Sequence, residues 1–332
     1  MILIGFVLLT TIGLGVFFFL NKDKESFEEE TTPIKEEQKE PEKKTIEVKP
    51  LLYKVTKDGS DNVVYLFGSI HVADDRAYPM KAEIMQAYNE SDYLAVEFDM
   101  ISYQSDLIAQ QKDMKLLMCD QGMTLKDYLS KGTYEKTIKY LKDNNSYNST
   151  YEMFKPVLIY SLVSNVANTK SGLDAEKGID MYFLKLAHDN KKEILEVETS
   201  SYQYQVLTGF SNEFYDFLIR NSITFESLMV SNVKSLYEAW LAGDASKLGS
   251  TFESDNVGEG EEETKSLLDE YAVFNDRLIN QRNKNMFITV ENYFKENKKT
   301  FVVVGAGHIV GSTGLATSFT KAGYKVEIVN YK

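Results

Sequence analysis

From Leu51 onward the sequence alternates short apolar runs with longer amphipathic stretches, and that alternation restricts the chain to an α/β domain. Residues 63–67 (VVYLF), 93–98 (YLAVEF), 193–197 (EILEV) and 301–304 (FVVV) have strand length, and 325–329 (KVEIV) follows a turn at Gly323. Residues 80–88 read as a helix with Pro79 at its first position, where a missing N–H costs little. From about 102 to 187, Leu, Ile, Met and Tyr recur at helical spacing, so a helical middle section is expected. Residues 252–264 hold six acids, no base, Gly258 and Gly260, which is the composition of a surface loop more than of a cation site. The expected architecture is a mixed or mostly parallel sheet with flanking helices. With 332 residues and 43% apolar content, the chain can bury a full core.

The front of the chain reads differently. Residues 2–20 form an uncharged run of nineteen, and a helix of that length spans about 28 Å, close to a bilayer's hydrocarbon core. A cleaved signal peptide would show a basic start, a shorter apolar region and small residues at a cleavage site. This run instead begins without Lys or Arg and ends in Phe17, Phe18, Phe19 and Leu20, so residues 1–20 are expected to be a single-pass membrane anchor. Residues 21–49 carry ten acids and seven bases with almost no large apolar side chains, and cannot offset the entropy of ordering by burial. A disordered charged tether is expected there, leading into a folded domain over 50–332. Lys22 and Lys24 alternate with Asp23 and Glu25, and only the lysines count toward the positive-inside bias, a signal that by itself is compatible with a cytoplasmic tether and does not enforce the orientation. The formal net charge of −13, with no basic cluster in the folded part, excludes nucleic acid as a partner. Cys119 is the single cysteine, which excludes a disulfide scaffold and a thiolate metal site.

Two segments share one layout, an apolar strand followed at once by glycine and then histidine: VVYLF-Gly68-Ser69-Ile70-His71 and FVVV-Gly305-Ala306-Gly307-His308. A glycine there lets the chain turn sharply and delivers each imidazole to the carboxyl end of its strand, the edge where ligands bind in open α/β sheets. Only three histidines occur, and two of them fall at these equivalent points. Either ring alone reads as a satisfied core or turn residue; their paired placement favours function equally well. Glu97 lies within YLAVEFDM, where alternation sets Ala95, Glu97 and Asp99 on one face. One reading is an edge strand with both acids in water. The other turns that face to the two histidines, giving two imidazoles and a carboxylate, a set suited to Zn, Mn or Fe(II) with positions left for water.

Glu198 ends the EILEV strand, with Gln203 five residues on, and Arg282-Asn283 sits on an amphipathic helix marked by Leu278, Ile279, Met286, Val290 and Phe294. Arg282 would stabilise developing negative charge or simply pair with an acid. His188 stands near a helix end, a common structural place for a cation-capable ring, and is left outside the site. Trp240 reads as a packing residue on a helix that stops near Gly243. No Gly-x-Ser-x-Gly elbow occurs, which disfavours serine-hydrolase chemistry, and the Gly305 run lacks the acidic strand end of a dinucleotide site.

Taken together these residues resemble the TraB/GumN family, which includes the Tiki proteins and the pheromone-shutdown proteins of conjugative plasmids. LFGSIHVADD resembles the family's opening Gly-Thr-x-His with Ser69 in place of Thr, and YLAVEFD its strand ending in Val-Glu-hydrophobic. GIDMYFLKLAHDNKKEILEVETSSYQ resembles the Gly-x-Asp, Leu-Glu-Thr and Gln block, with Val197 where Leu is usual; WLAGD, QRNKNM and VVVGAGHIVGSTGL follow in the family's order. The resemblance runs from Leu51 nearly to the end. It implies an erythromycin-esterase/ChaN-like α/β fold and a divalent metal ion (Mn, Co or Zn) held by His71, Glu97 and His308. Glu198 would then be a second carboxylate near the ion and Arg282 would steady an oxyanion. The implied activity is metal-dependent hydrolysis of a peptide or secreted protein outside the cell membrane. The alternative is a non-catalytic surface protein that binds and sequesters a peptide signal. The anchor and tether depart from the family pattern.

Overall fold

The computed structural model describes residues 47–253 and 262–332; the expected anchor, nearly all of the tether and residues 254–261 of the acidic stretch lie outside the described residues. Six strands form one sheet: β1 (Leu52–Thr56), β2 (Val64–Ser69), β3 (Tyr93–Val96), β4 (Glu193–Glu196), β5 (Thr300–Gly305) and β6 (Lys325–Ile328). Their order is β4-β3-β5-β2-β1-β6. β4, β3, β5 and β2 are parallel, and β1 runs antiparallel to both β2 and β6. The sheet is thus mixed, and all the carboxyl ends of its four parallel strands reach one edge. β2 and β5 are buried at every position, as a strand covered on both faces requires. Their register sets Gly68 beside Val304 and Ser69 beside Gly305, which places the two glycine turns next to each other.

β1 was not foreseen. Its sequence LYKVT alternates poorly and only Leu52 and Val55 are buried, so it lacks a clean strand signature. The expected helix after Pro79 also begins later, as α1 (Ala82–Glu90), with Lys81 as its N-cap. The Tyr78–Pro79 peptide is cis, so Pro79 closes the preceding segment and does not start the helix.

The helical middle is present as α2 (Leu107–Leu117), α3 (Lys131–Asp143), α4 (Pro156–Lys170) and α5 (Ile179–Asn190). Local chemistry sets their ends. The Asp106 carboxylate accepts the Ile108 and Ala109 N–H groups, Ser130 caps α3, and α4 opens on Pro156. α6 (Ser200–Leu207), α7 (Asn212–Thr224), α8 (Glu226–Ala242) and α9 (Ala245–Glu253) follow β4. α8 ends on Gly243 at φ +63°, the left-handed conformation in which glycine meets no Cβ penalty. α10 (Glu262–Asp276) continues through a π-helical turn, Arg277–Gln281, into α11 (Arg282–Lys295), and α12 (Leu315–Lys321) precedes β6.

Two apolar clusters result. One surrounds the sheet, where Phe67, Tyr88, Phe183 and Phe301 interlock with ring centroids 5.0–5.8 Å apart. Trp240 joins it, 1% exposed, and donates its indole N–H to the Gly68 carbonyl at 2.7 Å. The other cluster lies among α4, α7 and α10, and includes Phe214, Phe274, Leu278 and Ile279. The π turn therefore roots in the helical cluster while α11, through Met286 and Val290, belongs to the sheet cluster.

Candidate active site

The carboxyl ends of the parallel strands hold the expected residues. β3 stops at Val96, and the next residue, Glu97, is 7% exposed. β4 stops at Glu196, and the chain stays beside β3 for two more residues, with Val197 N–H donating to the Val96 carbonyl and Glu198 N–H to the Glu97 carbonyl. The two carboxylates are therefore neighbours across a strand pair. The reading that set Glu97 and Asp99 together in water does not hold: Asp99 instead caps the turn Met100–Tyr103 and faces His188 Nε2 at 2.9 Å. His188 thus pairs with Asp99, two residues after Glu97.

Arg282, 3% exposed, lies between the carboxylates. Its Nη2 donates to Glu97 Oε2 at 2.7 Å and also to Glu198 Oε1, and its Nε donates to both Glu198 oxygens at 3.0 and 3.1 Å. Gln203, on the first turn of α6, bridges the same pair, donating to Glu97 Oε2 at 2.8 Å and Glu198 Oε1 at 2.7 Å. Glu97 Oε1 accepts the Gly305 N–H at 2.9 Å, so the second glycine turn is tied to the first carboxylate. One guanidinium faces two buried acids, and their protonation preferences separate. Burial opposes charge on Glu97, but Arg282, His308, His71 and the Gly305 N–H prevail and hold it down at about 2. Burial prevails at Glu198 and raises it, with the Glu97 charge adding to the same effect.

His308 is fully buried. Its Nδ1 meets Asn283 Oδ1 at 2.6 Å, and Asn283 Nδ2 donates to Thr313 Oγ1 at 3.1 Å, which leaves Asn283 Oδ1 as the acceptor and puts the proton on Nδ1. Nε2 then carries the lone pair; it is buried, has no hydrogen-bond partner among the described residues and lies 4.0 Å from Glu97 Oε1. Burial, reinforced by Arg282, pushes the ring down to about 3, so it is neutral at physiological pH. His71, 5% exposed, has its Nδ1 2.8 Å from Asp180 Oδ2, and the other Asp180 oxygen accepts the Ser69 hydroxyl. Burial lowers this imidazole, yet the Asp180 carboxylate and the Glu97 charge raise it on balance.

Each imidazole is thus oriented through Nδ1 by a fixed acceptor, the arrangement that presents Nε2 to a cation. The orphaned Nε2 of His308 and the ionised Glu97 fit a divalent ion in donor chemistry. Among the described residues, however, no three His, Cys, Asp or Glu side chains are gathered at metal-binding spacing. Arg282 and Gln203 already engage Glu97 Oε2, so Oε1 is the oxygen such an ion would share.

His71, Glu97, Glu198, Arg282 and His308 thus all belong to this one edge. The sequence does not mark Asp180 and Asn283 as imidazole holders; the available signals are the position of Asp180 in Gly-Ile-Asp at the start of α5 and that of Asn283 next to Arg282. The sequence model of the TraB/PrgY/gumN family matches residues 51–328. No curated protein and no solved structure matches the chain.

Proposed function

Because the chain belongs to the TraB/PrgY/gumN family, we propose that it is a membrane-anchored, metal-dependent hydrolase that cuts a peptide bond, or a similar acyl bond, in a peptide or secreted protein. The observation that carries this reading is the buried, unpartnered Nε2 of His308, 4.0 Å from an ionised carboxylate. Buried polar atoms without a partner are few in a folded protein, and among those here His308 Nε2 is the one that stands next to an ionised carboxylate.

His308 and His71 through Nε2, and Glu97 through Oε1, would hold the ion. When bound, it would polarise the scissile carbonyl and lower the pKa of water from about 15.7 toward about 7. Glu97, kept ionised by Arg282, would serve either as that ligand or as the base that takes a water proton. Glu198, raised by burial and by the Glu97 charge, is the more basic of the two carboxylates and the one suited to pass a proton to a leaving amine. Arg282 fixes both carboxylates, and its Nη1, which reaches only the Leu278 carbonyl at 3.5 Å, is the arm left to meet an oxyanion.

The test is elemental analysis of the full-length protein offered Mn, Co or Zn, beside His71→Ala and His308→Ala, followed by a search for new termini in a mixed peptide library. Wild type should bind metal and generate termini, and both variants should lose each property. Wild-type metal content in both variants would remove the ligand assignment.

One observation favours a second reading, a non-catalytic protein that sequesters a peptide: Arg282 and Gln203 already satisfy much of both carboxylates. Library peptides retained without cleavage, at any metal, would select it. Residues 1–20 would serve as the anchor in either case, with the domain outside the cell. No described helix is long and apolar enough to cross a membrane, and residues 1–20 lie outside the described residues. Protease shaving of intact cells tests the orientation, since an external domain is lost and an internal one is kept.

A further inference from the structure

A cavity of about 310 Å³ opens beside the carboxylate pair, and its lining includes Phe98, which follows Glu97, and Thr199, which follows Glu198. That volume lies at the lower end for ligand pockets, roughly 300–1,000 Å³, and suits one side chain of a longer ligand. The cavity is built from behind. Asp113, 1% exposed, accepts hydrogen bonds from the Ser200 hydroxyl at 2.7 Å, the Tyr103 hydroxyl at 3.1 Å and the Ser201 hydroxyl. All three hydroxyl residues line the cavity, so their side chains are fixed before any ligand arrives. Among the described residues Asp113 is held by these hydroxyls and by no Lys, Arg or His, so its remaining acceptor capacity lies behind the cavity wall.

The lining itself is acidic: Asp99, Asp106 and Glu196 share it with one lysine, Lys112, and Asp99 is already paired with His188 at 2.9 Å. Phe98 and Tyr103 meet edge to face, 5.8 Å apart at 81°, and form a wall suited to an alkyl stem or to a cation over a ring. Directly after Asp106, Leu107 and Ile108 are 68% and 82% exposed, an apolar ledge next to the lining. We propose that this cavity is a subsite for a cationic group of a polypeptide, either a Lys or Arg side chain or a free amino terminus, with an apolar neighbour on the ledge. The proposal rests on reading this edge as a peptide site.

The test is calorimetric titration of the full-length protein with three amidated peptides that share an alanine background around a central Leu-x-Leu. In the first, x is lysine and the amino terminus is acetylated; in the second, x is norleucine with acetylation; in the third, x is norleucine with a free amino terminus. A side-chain subsite binds the first about tenfold more tightly than the second, and an amino-terminal subsite shows that preference for the third. Asp106→Asn combined with Glu196→Gln should reduce the preference to about twofold, while Lys112→Gln, on an exposed helix face, should widen it. Equal binding of all three peptides, binding of none, or a preference unmoved by these variants would overturn the subsite. Charge-selective binding without new termini would keep the subsite and remove hydrolysis; cleavage indifferent to charge would do the reverse.

Discussion

Arg282 holds two carboxylates apart and together, so its replacement is the sharpest single-residue test of the cluster. Arg282→Met leaves Glu97 buried without its cation, and breaking a buried pair in this way costs about 3–5 kcal/mol. The loss should appear as a lower denaturant midpoint, and Arg282→Lys should recover only part of it, since a point charge cannot reproduce the fork to both acids. A full recovery by lysine would mean that geometry is immaterial. pH tests the imidazoles. His308 stays neutral in the folded chain down to about 3, whereas an ordinary histidine takes a proton near 6.5. Between those values the unfolded chain binds more protons, so stability should fall as pH drops from about 6.5 toward 3. Glu97, held at about 2, adds a second loss as pH falls below 4.5. His71, raised on balance, acts in the opposite sense: its contribution is present below 6.5 and is lost as pH rises through its higher folded value. Denaturant titrations across pH should show the limb between 6.5 and 4.5 flattening in His308→Gln, and the limb below 4.5 becoming shallower, with the Glu97 share of it kept. An unchanged upper limb would contradict a buried neutral ring.

At the scale of elements, the turn before α5 locks the first histidine segment. Ile179 N–H donates to the Ile70 carbonyl at 2.9 Å, and a Cβ on Gly178 would lie 2.5 Å from the His71 carbonyl oxygen. Gly178→Ala must therefore push backbone against backbone, with an expected loss of about 1–3 kcal/mol in thermal or denaturant unfolding. A variant as stable as wild type would mean the turn is slack. Trp240→Phe should lose about 0.5–1.5 kcal/mol for the hydrogen bond to Gly68, and more from lost volume, measured the same way. β2 and β5 were legible because their apolar runs, through Phe67 and through Val304, are each followed at once by glycine, a pattern that survives any tertiary context. β1 was not, because a half-buried strand with Lys54 in its middle owes its existence to the partners on either side. The candidate site was legible as a set of residues at strand ends. The pairing of Asp180 with His71 and of Asn283 with His308 was not, since contacts across 109 and 25 positions leave no local trace in the sequence.

For the molecule as a whole, α10, the π turn and α11 connect the helical cluster to the sheet cluster, and Arg282 is the first residue after that turn. π turns recur near functional sites because one extra residue re-aims the helix that follows. Phe274→Ala, far along that continuous path, should cost about 3–5 kcal/mol of stability as a large core truncation. If the path is stiff, it should also weaken metal retention in the same protein, whereas unchanged retention would mean the two clusters are mechanically independent.

The antiparallel placement of β1 also fixes where the polypeptide comes in. Leu52 pairs with Phe67 near the end of β2, and Lys49 N–H is bonded to the Leu241 carbonyl, so the incoming strand meets the body on the same side as the imidazoles. If residues 21–49 act as a flexible tether, the edge that carries the imidazoles is drawn toward whatever holds the far end. A flexible chain as long as residues 21–49 has a typical reach of roughly 30 Å. If residues 1–20 sit in a bilayer, the opening faces that surface across a narrow gap, and bulky clients should be hindered more than short peptides when the leash is shortened.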